Sequence, residues 1–321
     1  MEQRRLGRSG LHVSRLGLGT MTWGRDTDEE EAAAQLTAFT EAGGTLIDTA
    51  DVYADGDSER VLGRLMTDVV ARRNLVVATK AVLAPDSSRR RDASRRHLRD
   101  ALDASLDRLG VDHIDLWQLH AWDAVTPLEE TLAALDEAVA SGRVRYVGVS
   151  NYAGWQLARA ITWQQAWPGR TPIVSAQVEY SLLQRGVERE VLPAAVDLGV
   201  GVLGWSPLGR GVLTGKYHDA TPADSRAASP HFADFVRPYL SEHDRGIVGS
   251  VMTAAEGLGV SPLAVALAWA RDRAGVAAPI VGARTAAQLR GVLDAEQLIL
   301  PAEIRDALED VSAPFLDYPE R

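Results

Sequence analysis

Four side chains of complementary acid–base character stand at or just beyond the ends of short apolar runs. Asp48 and Tyr53 follow Leu46-Ile47, Lys80 follows Val77-Ala78-Thr79, and His120 follows Leu116-Trp117-Gln118-Leu119. A free phenol, with a pKa of about 10, is too weak an acid to release a proton quickly at neutral pH. A nearby ammonium favours the phenolate and lowers that pKa. A lysine withdrawn from water needs a counter-charge, which Asp48 can supply. A neutral His120 can donate a hydrogen bond to a carbonyl oxygen and align it. Such a set can protonate a carbonyl oxygen and needs neither nucleophile nor metal. A second chemistry stays open, because a strand-end lysine can attack a carbonyl and form a Schiff base, as an aldolase does.

For these residues to converge, the apolar runs must be neighbouring strands that point the same way. Short β-branched runs recur at 16–19, 45–48, 75–79, 113–119, 144–149, 173–178, 200–205 and 279–281. Helix signals lie between them. Residues 28–42 are acidic in the first turn and stop at Gly43-Gly44, which suits a helix dipole. Residues 127–140 begin with Thr126 as the expected N-cap and Pro127 at the first helical position. The segments 88–109 and 188–198 end at Gly110 and Gly199, as helices with a C-terminal glycine do. Eight strand–helix units predict parallel strands buried on both faces. Eight units close into a ring, whereas an open doubly wound sheet usually has about five or six strands. The expected architecture is α/β, a single (β/α)8 TIM barrel over residues 1–321, with a long loop after strand seven and a C-terminal helix. That loop, from about 217 to 245, is polar and rich in Pro, Asp and Ser, and it is a candidate lid. The C-terminal ends of barrel strands form the active face, so Asp48, Tyr53, Lys80 and His120 are expected at one mouth.

Composition narrows the function. The chain has 321 residues, 46% of them hydrophobic and 24% charged, which describes a folded protein and excludes disorder. Its 44 acidic and 34 basic side chains leave a net charge of −10, which opposes general binding to nucleic acid or an anionic membrane. There is no cysteine, so disulfides, thiol nucleophiles, iron–sulfur clusters and cysteine-based zinc sites are excluded. No pair of histidines falls at metal-ligand spacing beside a glutamate, and no metal is expected. Met1-Glu2-Gln3-Arg4-Arg5-Leu6 has no apolar run behind its arginines, and the apolar stretch 260–270 is far short of the roughly 20 residues that span a bilayer. The expected location is the cytoplasm.

Three suggestive motifs fail on inspection. Gly17-Leu18-Gly19 lacks the third glycine of a dinucleotide fingerprint, since Thr22 stands there. The stretch from Arg210 to Tyr217 has Arg210 and Tyr217 where a P-loop needs Gly and Ser or Thr. Gly204-Trp205-Ser206-Pro207-Leu208 lacks the closing glycine of a nucleophile elbow. The arginines Arg89, Arg90, Arg91, Arg95, Arg96 and Arg99 read as the solvated face of the third helix, paired with Asp86, Asp92 and Asp100. A patch for an anionic partner is the alternative.

The motifs taken in order resemble the aldo-keto reductases. They are Ile47-Asp48-Thr49-Ala50-Asp51-Val52-Tyr53 with Ser58-Glu59, Thr79-Lys80, Leu119-His120, Gly148-Val149-Ser150-Asn151, Gln177-Val178-Glu179-Tyr180, Trp205-Ser206-Pro207-Leu208 with 211–217, and Ile280-Val281-Gly282-Ala283-Arg284. The resemblance covers residues 4 to about 310 and is strongest to bacterial general aldo-keto reductases and the potassium-channel β-subunit branch. It implies reduction of an aldehyde or ketone, a small-molecule carbonyl substrate, with NADPH preferred over NADH. Tyr53 would be the proton donor, Lys80 and Asp48 would tune it, and His120 would orient the carbonyl. Ser150, Asn151 and Gln177 would hold the nicotinamide carboxamide and Trp205 would stack on its ring. Gly19, Thr20 and Met21 would line the first loop. Ser206, Pro207, Leu208, Gly209, Arg210, Thr214, Lys216 and Arg226 would contact the pyrophosphate and ribose, and Gly282, Arg284 and Gln288 the adenosine end. Arginine suits a 2′-phosphate because its planar fork binds oxygens bidentately. Family members commonly follow the Gln288 position with Glu and Asn, where this chain has Gly291 and Val292, so the way adenine is held stays open. The substrate pocket is expected to be lined by Met21, Trp23, Tyr53, Val82, His120, Trp122 and Tyr152, which suits flat or apolar carbonyl compounds. The channel-subunit likeness keeps a further reading, an NADPH-holding regulatory subunit with little turnover.

Overall fold

The computed structural model describes residues 1–85, 87–218, 228 and 233–315. Eight parallel strands form a closed barrel in chain order: β1 (Gly17–Gly19), β2 (Leu46–Asp48), β3 (Val76–Ala81), β4 (Ile114–Leu119), β5 (Val144–Ser150), β6 (Ile173–Glu179), β7 (Gly201–Trp205) and β8 (Val276–Val281). Burial on both faces explains why these runs are apolar throughout and do not alternate. The inward residues Leu46, Ala78, Leu116, Val174, Leu203 and Ala278 form one buried cluster inside the barrel. A larger cluster, including Leu36, Leu62, Leu102, Leu132 and Leu157, lies between the strands and the helices.

The helices that follow β1 to β5 are α1 (Glu29–Glu41), α2 (Asp57–Asp68), α3 (Arg95–Leu109), α4 (Leu128–Ala140) and α5 (Gly154–Gln165). Next come α6 (Val191–Leu198), α7 (Ala233–Val236), α8 (Glu242–Leu258), α9 (Pro262–Arg271), α10 (Ala286–Asp294) and the C-terminal α11 (Ala302–Val311). Asp28, Ser94, Ser241, Ser261 and Thr285 cap α1, α3, α8, α9 and α10 by accepting a backbone N–H from the first turn. Among the described residues, no single helix is long and apolar enough to cross a membrane.

Several local expectations need correction. The expected helix 88–109 begins at Arg95, because Ser94 caps it there. Arg90 and Arg91 instead pair antiparallel with Leu83 and Ala84 in a short hairpin at the mouth, and Asp86 lies outside the described residues. Thr126 does not cap α4. Its hydroxyl donates to Asp123 (2.6 Å), and Pro127 occupies the cap position without a side-chain bond. The segment 188–198 divides into a turn at Gly186–Glu188 and α6, since Glu188 is held by Arg185 and Tyr180. A hairpin of Gln3–Arg5 and His12–Ser14, too short to show periodicity, covers the other end of the barrel and places Leu6 and Val13 in the inner cluster. The excursion after β7 is helical in α7 and α8. Residues 219–227 and 229–232 lie outside the described residues, and with them the expected cofactor contact Arg226.

Candidate active site

Asp48 ends β2, Lys80 sits in β3, and His120 follows β4 directly. Gly19 lies opposite Asp48 and Asp48 opposite Ala78 in the sheet register, and Lys80 stands two residues farther along β3. Tyr53 arrives from the loop after β2. Beyond it Ala54, Asp55 and Gly56 all take left-handed backbone conformations (φ 47°, 55° and 88°). Gly56 is required there because a Cβ would lie 2.7 Å from the Arg108 side chain. Ser58 and Glu59 anchor this turn. Ser58 donates to the Thr20 carbonyl (2.9 Å), while Glu59 accepts from Thr79 (2.5 Å) and Arg108 (2.7 Å).

The centre of the site is a buried ion pair. Lys80 Nζ lies 2.6 Å from Asp48 Oδ2 and 2.8 Å from the Thr49 carbonyl, with Tyr53 Oη at 3.5 Å. Gln177 Nε2 donates to the other Asp48 oxygen at 2.7 Å, so both carboxylate oxygens are satisfied. Burial opposes the charge on Lys80, yet Asp48 and Tyr53 hold its pKa above the ordinary lysine value. An ammonium committed in this way is no free amine nucleophile, which argues against the aldolase chemistry. Burial also raises the Tyr53 phenol above its ordinary value, more than Lys80 pulls it down. This differs from the expectation that Lys80 prevails, and it leaves Tyr53 a protonated phenol at neutral pH. The His120 ring stands edge-on to Tyr53 at 6.0 Å. Burial and then Lys80 push its pKa down to about 3, so its imidazole is neutral at neutral pH.

One acidic group beside the site titrates near neutrality. Burial, and then the neighbouring Glu59, push Asp51 up to about 7, with Arg108 opposing. An unfolded aspartate releases its proton near pH 3.9. Between those two values the folded chain keeps a proton that the unfolded chain has lost, so stability falls as pH rises through the window. Asp51→Asn removes this titration. The variant is expected to be more stable than wild type by about 2–4 kcal/mol at about pH 8, with the gap closing towards about pH 4. Denaturant unfolding at both pH values measures it, and an equal gap at both would overturn the assignment.

Tyr53 and His120 open into a cavity of about 530 Å³. Asp48, Ser150, Asn151, Gln177 and Trp205 line it next to them, and Ser206, Pro207, Leu208, Thr214 and Lys216 continue the wall. Gly19, Met21, Gly282, Arg284 and Gln288 complete it. Trp205 Nε1 donates to Asn151 Oδ1 (3.1 Å), and Asn151 Nδ2 donates to the His120 carbonyl (3.0 Å), which ties three strand ends together. Ser150 Oγ is buried without a hydrogen-bond partner. An orphaned hydroxyl beside two amide side chains suits a bound carboxamide, and the elongated wall with Lys216 and Arg284 suits a dinucleotide. Val292 lines the cavity with an apolar side chain, and a Cβ on Gly291 would meet open space.

Other expected residues lie elsewhere. Lys80 sits beneath the wall, hydrogen-bonded as above. Thr20 is buried and shares a hydrogen bond with Ser58 (2.7 Å), and Gly209 packs on Leu183. Trp23 is fully buried in the core, its indole donating to Gln35 (3.1 Å). Val82 is buried as well. Trp122 turns its ring to Tyr152 and Trp155 (5.1 and 5.4 Å between ring centroids), so neither Trp122 nor Tyr152 lines the cavity. In their place Val52, Leu83 and Phe235 form the apolar wall near Tyr53 and Trp205. Val52 and Leu83 adjoin the expected positions, whereas nothing local in the sequence marks Phe235. Arg210 does line the cavity, but its guanidinium is engaged by Glu179 (2.7 and 2.6 Å) and by the Phe235 carbonyl. It clamps α7 to the end of β6 with Phe235 nearly parallel to Trp205 (6.3 Å, 16°).

Comparison with known proteins agrees with this geometry. The model of the Aldo/keto reductase family matches residues 15–313. An uncharacterized oxidoreductase, YrpG, of Bacillus subtilis (strain 168) is 38% identical over 97% of this chain and 96% of its own. A probable voltage-gated potassium channel subunit beta of Oryza sativa subsp. japonica is 37% identical over the same shares. Versiconal hemiacetal acetate reductase of Aspergillus parasiticus is 33% identical over 99% of each chain. The barrel, the site at its mouth and the match over nearly the whole length lead to one conclusion: this chain belongs to the aldo/keto reductase family and is an NAD(P)H-dependent oxidoreductase.

Proposed function

We propose that this protein reduces an aldehyde or ketone to the alcohol with NADPH as preferred cofactor and Tyr53 as proton donor. The observation that carries the reading is the Lys80–Asp48 pair, buried at 2.6 Å beneath a protonated phenol and beside a neutral imidazole at one end of the cavity. A bound reduced nicotinamide supplies hydride to the carbonyl carbon. The chain's own residues do the rest. His120 donates a hydrogen bond to the carbonyl oxygen, and Tyr53 Oη gives that oxygen its proton as the C=O π bond breaks. The ammonium of Lys80 stabilises the phenolate left behind, and Asp48 keeps that ammonium charged in a dry setting. Ser150, Asn151 and Gln177 would hold the carboxamide, the Trp205 face would receive the ring, and Ser206 to Lys216 would receive the pyrophosphate. Oxidation of NADPH against a panel of aldehydes, ketones and quinones tests the reading. Tight NADPH binding without turnover of any of them would favour the cofactor-holding subunit instead.

Cofactor preference is assigned to Arg284. It lines the cavity beside Thr285, the N-cap of α10, where the helix dipole already favours an anion. Arg284→Ala is expected to weaken NADPH binding by about 10- to 150-fold, the worth of a charge-assisted bond. NADH has no 2′-phosphate, so its affinity should hardly change. Dissociation constants for both cofactors in both proteins give the answer, and equal weakening would reject the assignment.

A further inference from the structure

Arg91 stands next to a residue of the cavity wall, without lining the cavity itself, in a chain whose net charge is −10. Leu83 lines the cavity, and in the mouth hairpin it stands directly opposite Arg91. Residues directly opposite in an antiparallel pair project from the same face, so Arg91 projects to the same side as Leu83 although it does not itself line the cavity. Arg91 Nη1 reaches across to donate to the carbonyl of Trp122 (3.3 Å), two residues beyond His120. The guanidinium therefore spans the loops after β3 and β4, beside the catalytic end.

Among the described residues, the neighbouring carboxylates Asp92 and Asp123 are already engaged. Asp92 accepts from Arg89 (3.1 Å) and the Ser94 N–H (2.9 Å). Asp123 is buried and accepts from Arg89, Thr126 and the N–H groups of Ala93 and Val125. Among the described residues Arg91 makes no ion pair, and the bond to Trp122 is the only hydrogen bond of its guanidinium. Between Arg91 and Tyr53 the wall is apolar, formed by Val52 and Leu83.

We propose that Arg91 is a specificity-determining residue that reads a carboxylate on the substrate, which would be an aldehyde or ketone carried on an apolar or aromatic body with an anionic far end. The planar fork of arginine pairs bidentately with a carboxylate, and a positive group beside the cavity of an acidic protein steers such substrates to the mouth. This inference deepens the carbonyl-reductase reading and rests on it for the substrate's reactive group.

The test uses 4-carboxybenzaldehyde and its uncharged methyl ester as probes, with the full chain and NADPH. Wild type is expected to show the higher kcat/KM for the carboxylate. Arg91→Gln should lower that value about 5- to 30-fold, mainly through KM, and Arg91→Lys should lower it less. The ester should change less than about twofold, and its turnover also reports that the variant is folded. Added salt should shrink the difference between probes in wild type, since the contact is at the surface. Equal rates for the two aldehydes in wild type, or equal losses in Arg91→Gln, would overturn the proposal and leave the reductase reading intact. Calorimetric titration with 4-(hydroxymethyl)benzoate and its methyl ester needs no turnover. Binding of the carboxylate that depends on Arg91, without reduction of either aldehyde, would support the anion site and reject the reductase reading.

Discussion

Tyr53→Phe is expected to lower carbonyl reduction by about 10²–10⁴-fold while cofactor affinity stays nearly unchanged, because the substitution deletes only the proton donor. The phenol lies 3.5 Å from Lys80 Nζ, while the ion pair beneath it is held by Asp48, the Thr49 carbonyl and Gln177. The pair therefore survives the loss of the hydroxyl. Fluorescence titration with NADPH and a turnover assay on the same preparation separate the two effects. Retention of more than about a tenth of wild-type turnover would remove Tyr53 as the acid.

Lys80→Met carries the second large effect, and it falls on the fold as well as the rate. Its side chain is fully buried and that of Asp48 is 3% exposed. Removing the ammonium strands a carboxylate away from water, a loss of about 3–5 kcal/mol. Asp48→Asn combined with Lys80→Met removes both charges and should recover most of that stability. Activity should stay low in both variants, since neither retains a cation to stabilise the phenolate. Denaturant midpoints and turnover for the single variants, the double variant and wild type complete the cycle. A double variant no more stable than Lys80→Met would show that the pair is not what the lysine stabilises.

The barrel is legible because each strand is a short apolar run. The meeting of Asp48, Lys80 and His120 is legible because they stand at or near the C-terminal ends of three neighbouring strands, with Tyr53 in the loop after the first of them. That placement follows from the fold rule alone. The mouth hairpin was not legible, since strands as short as Leu83–Ala84 and Arg90–Arg91 have no period to detect, and the arginines there read equally well as a helix face. Trp23, Trp122 and Tyr152 failed as pocket residues for another reason. An aromatic ring near a strand end serves packing as readily as binding, and only tertiary neighbours such as Gln35 and Trp155 decide which. Arg210 is the same problem with charge, because its partner Glu179 is 31 residues away in sequence.

The hairpin at the base of the barrel bears on how turnover is resupplied. Leu6 and Val13 close that end, and above them the inner cluster is apolar, with Ser175 donating to Gln118 and the Gln118 Nε2 buried without a partner. Among the described residues, apolar side chains close this end beneath Lys80 and Asp48, and the cavity opens at the other. On the proposed mechanism, the proton that Tyr53 gives away in each cycle would be replaced through the same doorway by which the alcohol leaves. Refilling the acid and emptying the pocket would then be consecutive events, with the second substrate admitted only after both.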